Sequence, residues 1–226
     1  IGVFALIAVV VSQHGLAVLL PLGKLILASF IATSLLVIII YVPLVKLIIK
    51  LPVMQYFKGI FEPWLIAFTT CSSAAAMAAN LVSSRRLGAS KAIASFAVPL
   101  GNTINMNGTA VYMGVTTVFA AQIYGIPLTL SDQVIVVLTG VLAAIGTAGV
   151  PGAGLIMSTL VFTQIGIPLE VVGLLAGVDR ILDMIRTSIN VVGDSTTALL
   201  VSRMEGEPGT EAFVEGEEAP TEPAKL

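Results

Sequence analysis

At 226 residues, 57% hydrophobic, only 11% charged and with a mean hydropathy of +1.03, the chain has too little charge to solvate a globular surface. Bilayer is its natural solvent. The net charge of −2 forms no basic patch, which argues against a nucleic-acid partner, and the lone Cys71 and lone His14 exclude a disulfide framework, a thiolate metal site and a histidine-clustered one within the chain.

Residues 1–12 are apolar, too short to span alone, and read as the end of a truncated helix. Residues 25–45 form a clean span, with Lys24 before it and Lys46 and Lys50 after it. Residues 55–62 read as an amphipathic connector, its Tyr56, Phe57 and Phe61 joining Trp64 in an aromatic belt at a membrane interface. Residues 68–84 are apolar but crowded with small side chains from Thr69 to Ala76. Lys58 precedes them and Arg85, Arg86 and Lys91 follow, so both ends favour the cytoplasmic side. A segment with both ends on one side is a re-entrant hairpin, and a tip of small residues lets backbone approach a ligand closely.

Residues 92–124 are long enough to span, but their middle runs Gly101-Asn102-Thr103-Ile104-Asn105-Met106-Asn107-Gly108-Thr109. Such a run is poor lipid-facing helix and predicts a helix interrupted near Asn105, its backbone satisfied by protein or a wet cavity. Residues 128–163 form a second apolar stretch with a glycine-rich tip from Gly146 to Gly154. With no Lys or Arg between Lys91 and Arg180, this second hairpin is expected on the external side. Residues 171–201 read as the last helix, Arg203 marks the return to the cytoplasm, and the Glu-, Gly- and Pro-rich tail from about Glu205 is expected to be disordered. Hairpin plus broken helix, followed by hairpin plus polar helix of opposite orientation, is an inverted repeat; such repeats place a binding site near the bilayer midplane.

The last helix carries Asp179, Asp183, Arg186, Thr187, Asn190 and Asp194 at steps of three and four, which puts them on one face opposite Ile181, Leu182, Ile185, Ile189 and Val192. Charge at membrane depth is costly, so these groups must face each other, a cavity or a ligand. Arg186 offers a planar fork for a carboxylate, and Asp183, one turn earlier, suits an ammonium group. Asn190 and Asp194 together with Asn105 offer hard oxygens for a small cation such as sodium. Arg180 points off this face and is read as a structural partner of a hairpin residue; Cys71, Met157 and Met184 as packing; His14 as water-facing; Trp64 as an interface anchor.

The runs Asn105-Met106-Asn107-Gly108-Thr109, Gly146-Thr147-Ala148-Gly149-Val150-Pro151-Gly152, and Asp179 through Arg186-Thr187 to Asn190-Val191-Val192-Gly193-Asp194 resemble the dicarboxylate/amino acid:cation symporter family. The opening Gly2-Val3-Phe4-Ala5-Leu6-Ile7-Ala8 is similar too. The resemblance implies an all-α, multi-pass homotrimer of the plasma (inner) membrane. Its static scaffold would support a mobile, elevator-type transport domain. Residues 1–15 would be the end of a scaffold helix, 16–203 the transport domain and 204–226 an acidic cytoplasmic tail. By the same resemblance, Ser72, Thr109, Val150, Gly154, Asp183, Arg186, Thr187 and Asn190 would contact an acidic amino acid. One sodium would lie at Gly101, Asn105, Asn190 and Asp194, and a second at Thr103, Met106, Ala144, Ile145 and Thr147. Two departures stand out. The family pattern Asn-Met-Asp-Gly-Thr has its acid replaced by Asn107, which weakens a third cation site, and the serine run of the first hairpin here reads Cys71-Ser72-Ser73-Ala74-Ala75-Ala76-Met77.

The expected function is cation-coupled, and specifically sodium-coupled, symport of aspartate or glutamate; the alternative is a C4-dicarboxylate or neutral amino acid carrier on the same frame, proton-coupled in one version. A passive anion channel is the competitor among membrane proteins. A membrane hydrolase needs a base beside its nucleophile, and no His or Lys lies in the apolar core near Ser72 or Thr187.

Overall fold

A computed structural model describes Ala5, Ala8, Val9, Val11, Ser12 and residues 15–206 of the chain. His14, most of the expected scaffold-helix end and most of the acidic tail lie outside the described residues. Within them every regular element is helical.

Helix α1 (Leu16–Ile49) is longer than the expected span and is the one described helix long and apolar enough to cross a membrane by length and composition. Its ladder is not uniform. Pro43 has no N–H to donate, and the turns on either side widen to π geometry over Val37–Tyr41 and Leu44–Ile49. A short helix α2 (Val53–Gly59) follows. It corrects one expectation: Tyr56 is fully buried and belongs to no interfacial belt. Its hydroxyl donates to Val192 O at 3.1 Å and bonds Thr196 Oγ1 at 2.7 Å.

The first helical hairpin is α3 (Phe61–Thr70) and α4 (Ser73–Arg86), joined through Cys71 and Ser72. It begins earlier than the sequence suggested. Cys71 ends α3 in the left-handed region, at φ 58°, a position usually given to Gly or Asn. Ser72 caps α4 by accepting from Ala75 N at 3.2 Å. The chain doubles back far enough that Leu87, just past α4, packs on Gly59, just before α3.

Helix α5 (Lys91–Ile104) stops at Asn105 and Met106, whose ψ of 67° and 51° are not helical, and α6 (Asn107–Ile123) restarts the chain. The interruption lies where the run of Asn, Thr and Gly predicts it. The second hairpin is α7 (Leu130–Ile145), opened by a Thr129/Asp132 capping box, and α8 (Ala153–Ile165), with residues 146–152 as its tip. The expected single helix over 171–201 is two: α9 (Val171–Ala176) ends before Gly177, and α10 (Asp179–Met204) begins after Val178.

Helix α10 is the axis of the fold, packed by α3, α4, α5 and α6. Its apolar side is as buried as its polar one: Leu182, Ile185, Ile189 and Val192 all lie in the core. One apolar cluster gathers Leu22, Met113, Phe162, Leu175 and Leu182; another gathers Tyr56, Val98, Ile189 and Leu199. Close approach is set by Gly108, where a Cβ would collide with the Arg186 backbone carbonyl. α4 is pinned to α10 by buried Asn80, which donates to Val191 O at 3.2 Å and accepts from Ser195.

Candidate functional site

The six polar side chains of α10 singled out by the sequence are all buried: Asp179 is 8% exposed, Asp183 2%, Arg186 3%, Thr187 5%, Asn190 3% and Asp194 2%. Groups of this kind stay buried only where hydrogen bonds and opposite charge replace water.

The Asp183 carboxylate accepts three hydrogen bonds. Its Oδ1 accepts from Arg186 Nε at 2.9 Å and from Thr187 Oγ1 at 2.7 Å. Its Oδ2 accepts from Gly152 N at 2.8 Å, which ties the second hairpin's tip to α10. Arg186 is held on three sides. Asp183 takes Nε, the Tyr112 ring lies 4.8 Å from its guanidinium carbon, and Gly154 leaves it room that any Cβ would fill. Its Nη1 is buried without a hydrogen-bond partner. Tyr112 in turn donates to Asp179 Oδ1 at 3.1 Å.

A turn further along α10, Asn190 bridges to the start of α6. Its Oδ1 accepts from Gly108 N at 2.7 Å and Thr109 N at 3.3 Å, and its Nδ2 reaches Thr109 Oγ1 and Met106 Sδ, both at 3.1 Å. Asp194 meets the broken end of α5: its Oδ1 accepts from Asn105 Nδ2 at 2.9 Å, and a Cβ on Gly101 would come within 2.5 Å of the same oxygen. Asn107 donates to Asn105 Oδ1 at 2.5 Å and to Tyr41 OH at 2.7 Å. Tyr41, Asn107, Asn105 and Asp194 thus form one polar chain from the widened turns of α1 to α10.

The two hairpin tips touch. Ser72 Oγ donates to Gly149 O at 2.8 Å, and Val150 beside it is 50% exposed. Arg180 donates to Thr69 O at 2.6 Å and Thr70 O at 3.5 Å, matching its reading as a structural partner of the first hairpin. A cation at those carbonyls favours the end of α3. Cys71 is buried, its Sγ 3.8 Å from Arg180 O.

The fold therefore joins Asp183, Arg186, Thr187 and Gly154 in one cluster, Thr109, Asn190 and Met106 in the next, and Gly101, Asn105 and Asp194 in a third. It does not join the remaining candidates in the same way. Thr103 is exposed and its hydroxyl donates to Leu100 O at 2.7 Å. Thr147 is buried and donates to Ala143 O at 2.8 Å, while Ala144 is buried and Ile145 exposed. Each hydroxyl is spent on its own helix, and no hydrogen bond among the described residues links the two. Sequence reasoning missed Tyr112 and Tyr41. Tyr112 had a signal, since it follows Thr109 by three and so shares its face of α6. Tyr41 had none, because its partner lies 66 positions away.

A sequence profile described as the sodium:dicarboxylate symporter family matches residues 1–204. The proton/sodium-glutamate symport protein of Geobacillus stearothermophilus is 35% identical over 206 residues, 91% of this chain and 49% of that protein. The proton/glutamate-aspartate symporter of Escherichia coli is 36% identical over 205 residues, 91% of this chain and 47% of that protein. Human excitatory amino acid transporter 2 is 42% identical over 165 residues, 72% of this chain and 29% of that protein. The chain spans about half the length of the bacterial relatives it matches. The chain belongs to the sodium:dicarboxylate symporter family.

Proposed function

We propose that this chain forms the solute-carrying part of a secondary active transporter of acidic amino acids, coupled to a cation and specifically to sodium. The observation that carries the reading is the Arg186 Nη1, buried and unpartnered beside a carboxylate that already holds its Nε. An unpaired guanidinium donor in a dry site calls for an anionic partner, and a carboxylate is the one its planar fork fits. Asp183, one turn away, balances the guanidinium and supplies the acceptor for an amino group. A zwitterion with a further carboxylate meets both needs; a plain dicarboxylate leaves Asp183 facing like charge.

Asp194, Asn105 and the broken end of α5 supply hard oxygens for sodium, which travels as cargo. Asn190, Thr109, Thr187 and Ser72 frame the solute, with Val150 and Gly154 closing over it. The second group, Thr103, Met106, Ala144, Ile145 and Thr147, receives its cation after the second hairpin rearranges. In this reading α3–α4 and α7–α8 are re-entrant hairpins of opposite orientation, and residues 16–203 move as an elevator. The frame is a homotrimer in the plasma membrane, with residues 204–226 in the cytoplasm. The exposed apolar face of α1, including Leu27, Ile31, Leu35 and Ile38, supports a bilayer setting.

The experiment is uptake of labelled L-aspartate by the full-length protein in proteoliposomes, with and without an inward sodium gradient. Gradient-driven, saturable uptake competed by glutamate and not by succinate or serine is expected. Uptake indifferent to sodium removes the coupling assignment, and competition by succinate removes the substrate assignment.

A further inference from the structure

Seven of the chain's eleven Lys and Arg residues gather at one end of the bundle. Lys46 and Lys50 close α1, Lys58 lies in α2, and Arg85 and Arg86 end α4. Lys91 opens α5, and Arg203 sits in the last turn of α10. The packing brings these helix ends together. Arg203 Nε donates to Ile49 O at 3.0 Å, Ser90 N donates to Ser202 Oγ at 3.1 Å, and Leu87 packs on Gly59. All seven cations except Arg85, which is half-buried, are exposed.

Membrane topology accounts for the cations, which favour one side of a bilayer, but it makes little demand on acids. Yet the stretch from Glu205 to Glu222 carries seven glutamates and neither Lys nor Arg. The fold delivers that stretch into the middle of the basic end. Glu205 caps α10, and Gly206 follows at φ 70° with its N donating to Arg203 O at 3.4 Å. Such a left-handed turn takes a chain off the helix axis. Beside it, Arg203 touches the end of α1 and Ser202 the start of α5. From Gly206 the chain to Glu222 reaches at most about 55 Å when extended. Neighbouring helices pack about 10 Å apart, so the adjoining helix ends lie well within that reach.

We propose that residues 207–222 dock across the basic end of their own chain, with their glutamates paired to Lys50, Lys58, Lys91 and Arg203. One exposed ion pair is worth little, but a row of acids against a cluster of cations acts as a network. It also relieves the repulsion of seven like charges crowded at one end. The tether holds the acids near these cations at about millimolar effective concentration. Anionic lipid headgroups are the rival occupant. Headgroups on the cations would leave the glutamates facing a surface of their own sign, whereas docking removes that repulsion too. The docked tail ties the ends of α1, α5 and α10 together, and salt loosens it. None of this depends on which solute meets Arg186.

The test uses the full-length protein in nanodiscs of phosphatidylcholine, with and without phosphatidylserine, and a zero-length carbodiimide that joins amines to carboxylates. Wild type is expected to give cross-links from Lys50, Lys58 or Lys91 to glutamates of 207–222 in both nanodiscs. Their yield is expected to fall about fivefold or more between about 0.02 M and about 0.5 M salt. A second protein carries all six substitutions from Glu207→Gln to Glu222→Gln. At low salt its backbone hydrogens over 47–52 and 86–92 are expected to exchange about threefold faster than in wild type, and at high salt equally fast. Cross-links that are absent, or that are as strong at high salt, overturn the proposal. So do cross-links lost when phosphatidylserine is added, which make the headgroup the occupant. An exchange difference that is absent at low salt, or that persists at high salt, overturns it as well.

Discussion

Arg186 gives its Nε to the Asp183 carboxylate at 2.9 Å and keeps Nη1 buried with no hydrogen-bond partner. One end of the guanidinium is fixed by the protein and Nη1 at the other is unpaired. Arg186→Lys keeps the charge but loses the fork, so it is expected to weaken aspartate binding by at least about 30-fold, the scale of one lost charged hydrogen bond. Arg186→Ala is expected to abolish detectable uptake. Binding titrations on the full-length protein check both, and aspartate affinity that survives Arg186→Ala removes Arg186 from the solute site.

Gly154 and Gly108 separate function from folding. A Cβ at Gly154 overlaps Arg186 Nη1, the movable end of a long side chain, whereas a Cβ at Gly108 overlaps the Arg186 backbone oxygen. Gly154→Ala is expected to displace the guanidinium, leave thermal stability within a degree or two and remove aspartate binding. Gly108→Ala must push α6 off α10, and is expected to cost about 2–3 kcal/mol or more, as overpacking does. Thermal unfolding and aspartate titration on the same samples distinguish the two, and equal losses of stability would sink the contrast.

Arg180 tests whether the end of α3 needs its cation. Arg180→Ala removes donors from the Thr69 and Thr70 carbonyls. A stability loss of about 1 kcal/mol is expected, with faster hydrogen exchange over residues 69–72. Exchange unchanged there would show that Cys71 and Ser72 hold the turn alone.

Much of this site was legible before the fold was known, for physical reasons that also mark the limit. Helical spacing is local, so the shared face of Asp183, Arg186, Asn190 and Asp194 could be read from steps of three and four. The break at Asn105 and Met106 was readable because Gly, Asn and Thr together make poor apolar helix. The break at Gly177 and Val178 was not, since an apolar run with two glycines does not say whether the chain bends there. Nor was the burial of Tyr56, which looked interfacial by composition and is held by Thr196, 140 positions away. Contacts such as Ser72 with Gly149 depend on which hairpin tips the topology brings together, and no local pattern encodes that.

Asn107 is the position where this chain departs most usefully from its family pattern. Its Nδ2 donates to Tyr41 OH at 2.7 Å and to Asn105 Oδ1 at 2.5 Å, so an amide hydrogen occupies the Asn105 oxygen. Asn107→Asp has no hydrogen to give Asn105 and adds a negative charge two bonds along the polar chain from Asp194. In low dielectric that charge is strongly unfavourable unless a cation joins it. The variant is expected to bind aspartate more weakly at low sodium, to recover at high sodium, and to show a steeper sodium dependence, its Hill coefficient rising toward one more ion. Tyr41→Phe leaves the bond between Asn107 and Asn105 intact, and its sodium dependence should keep the wild-type slope. Aspartate titrations across a range of sodium concentrations read both effects. An Asn107→Asp curve parallel to wild type would mean that the amide does not stand in for an ion.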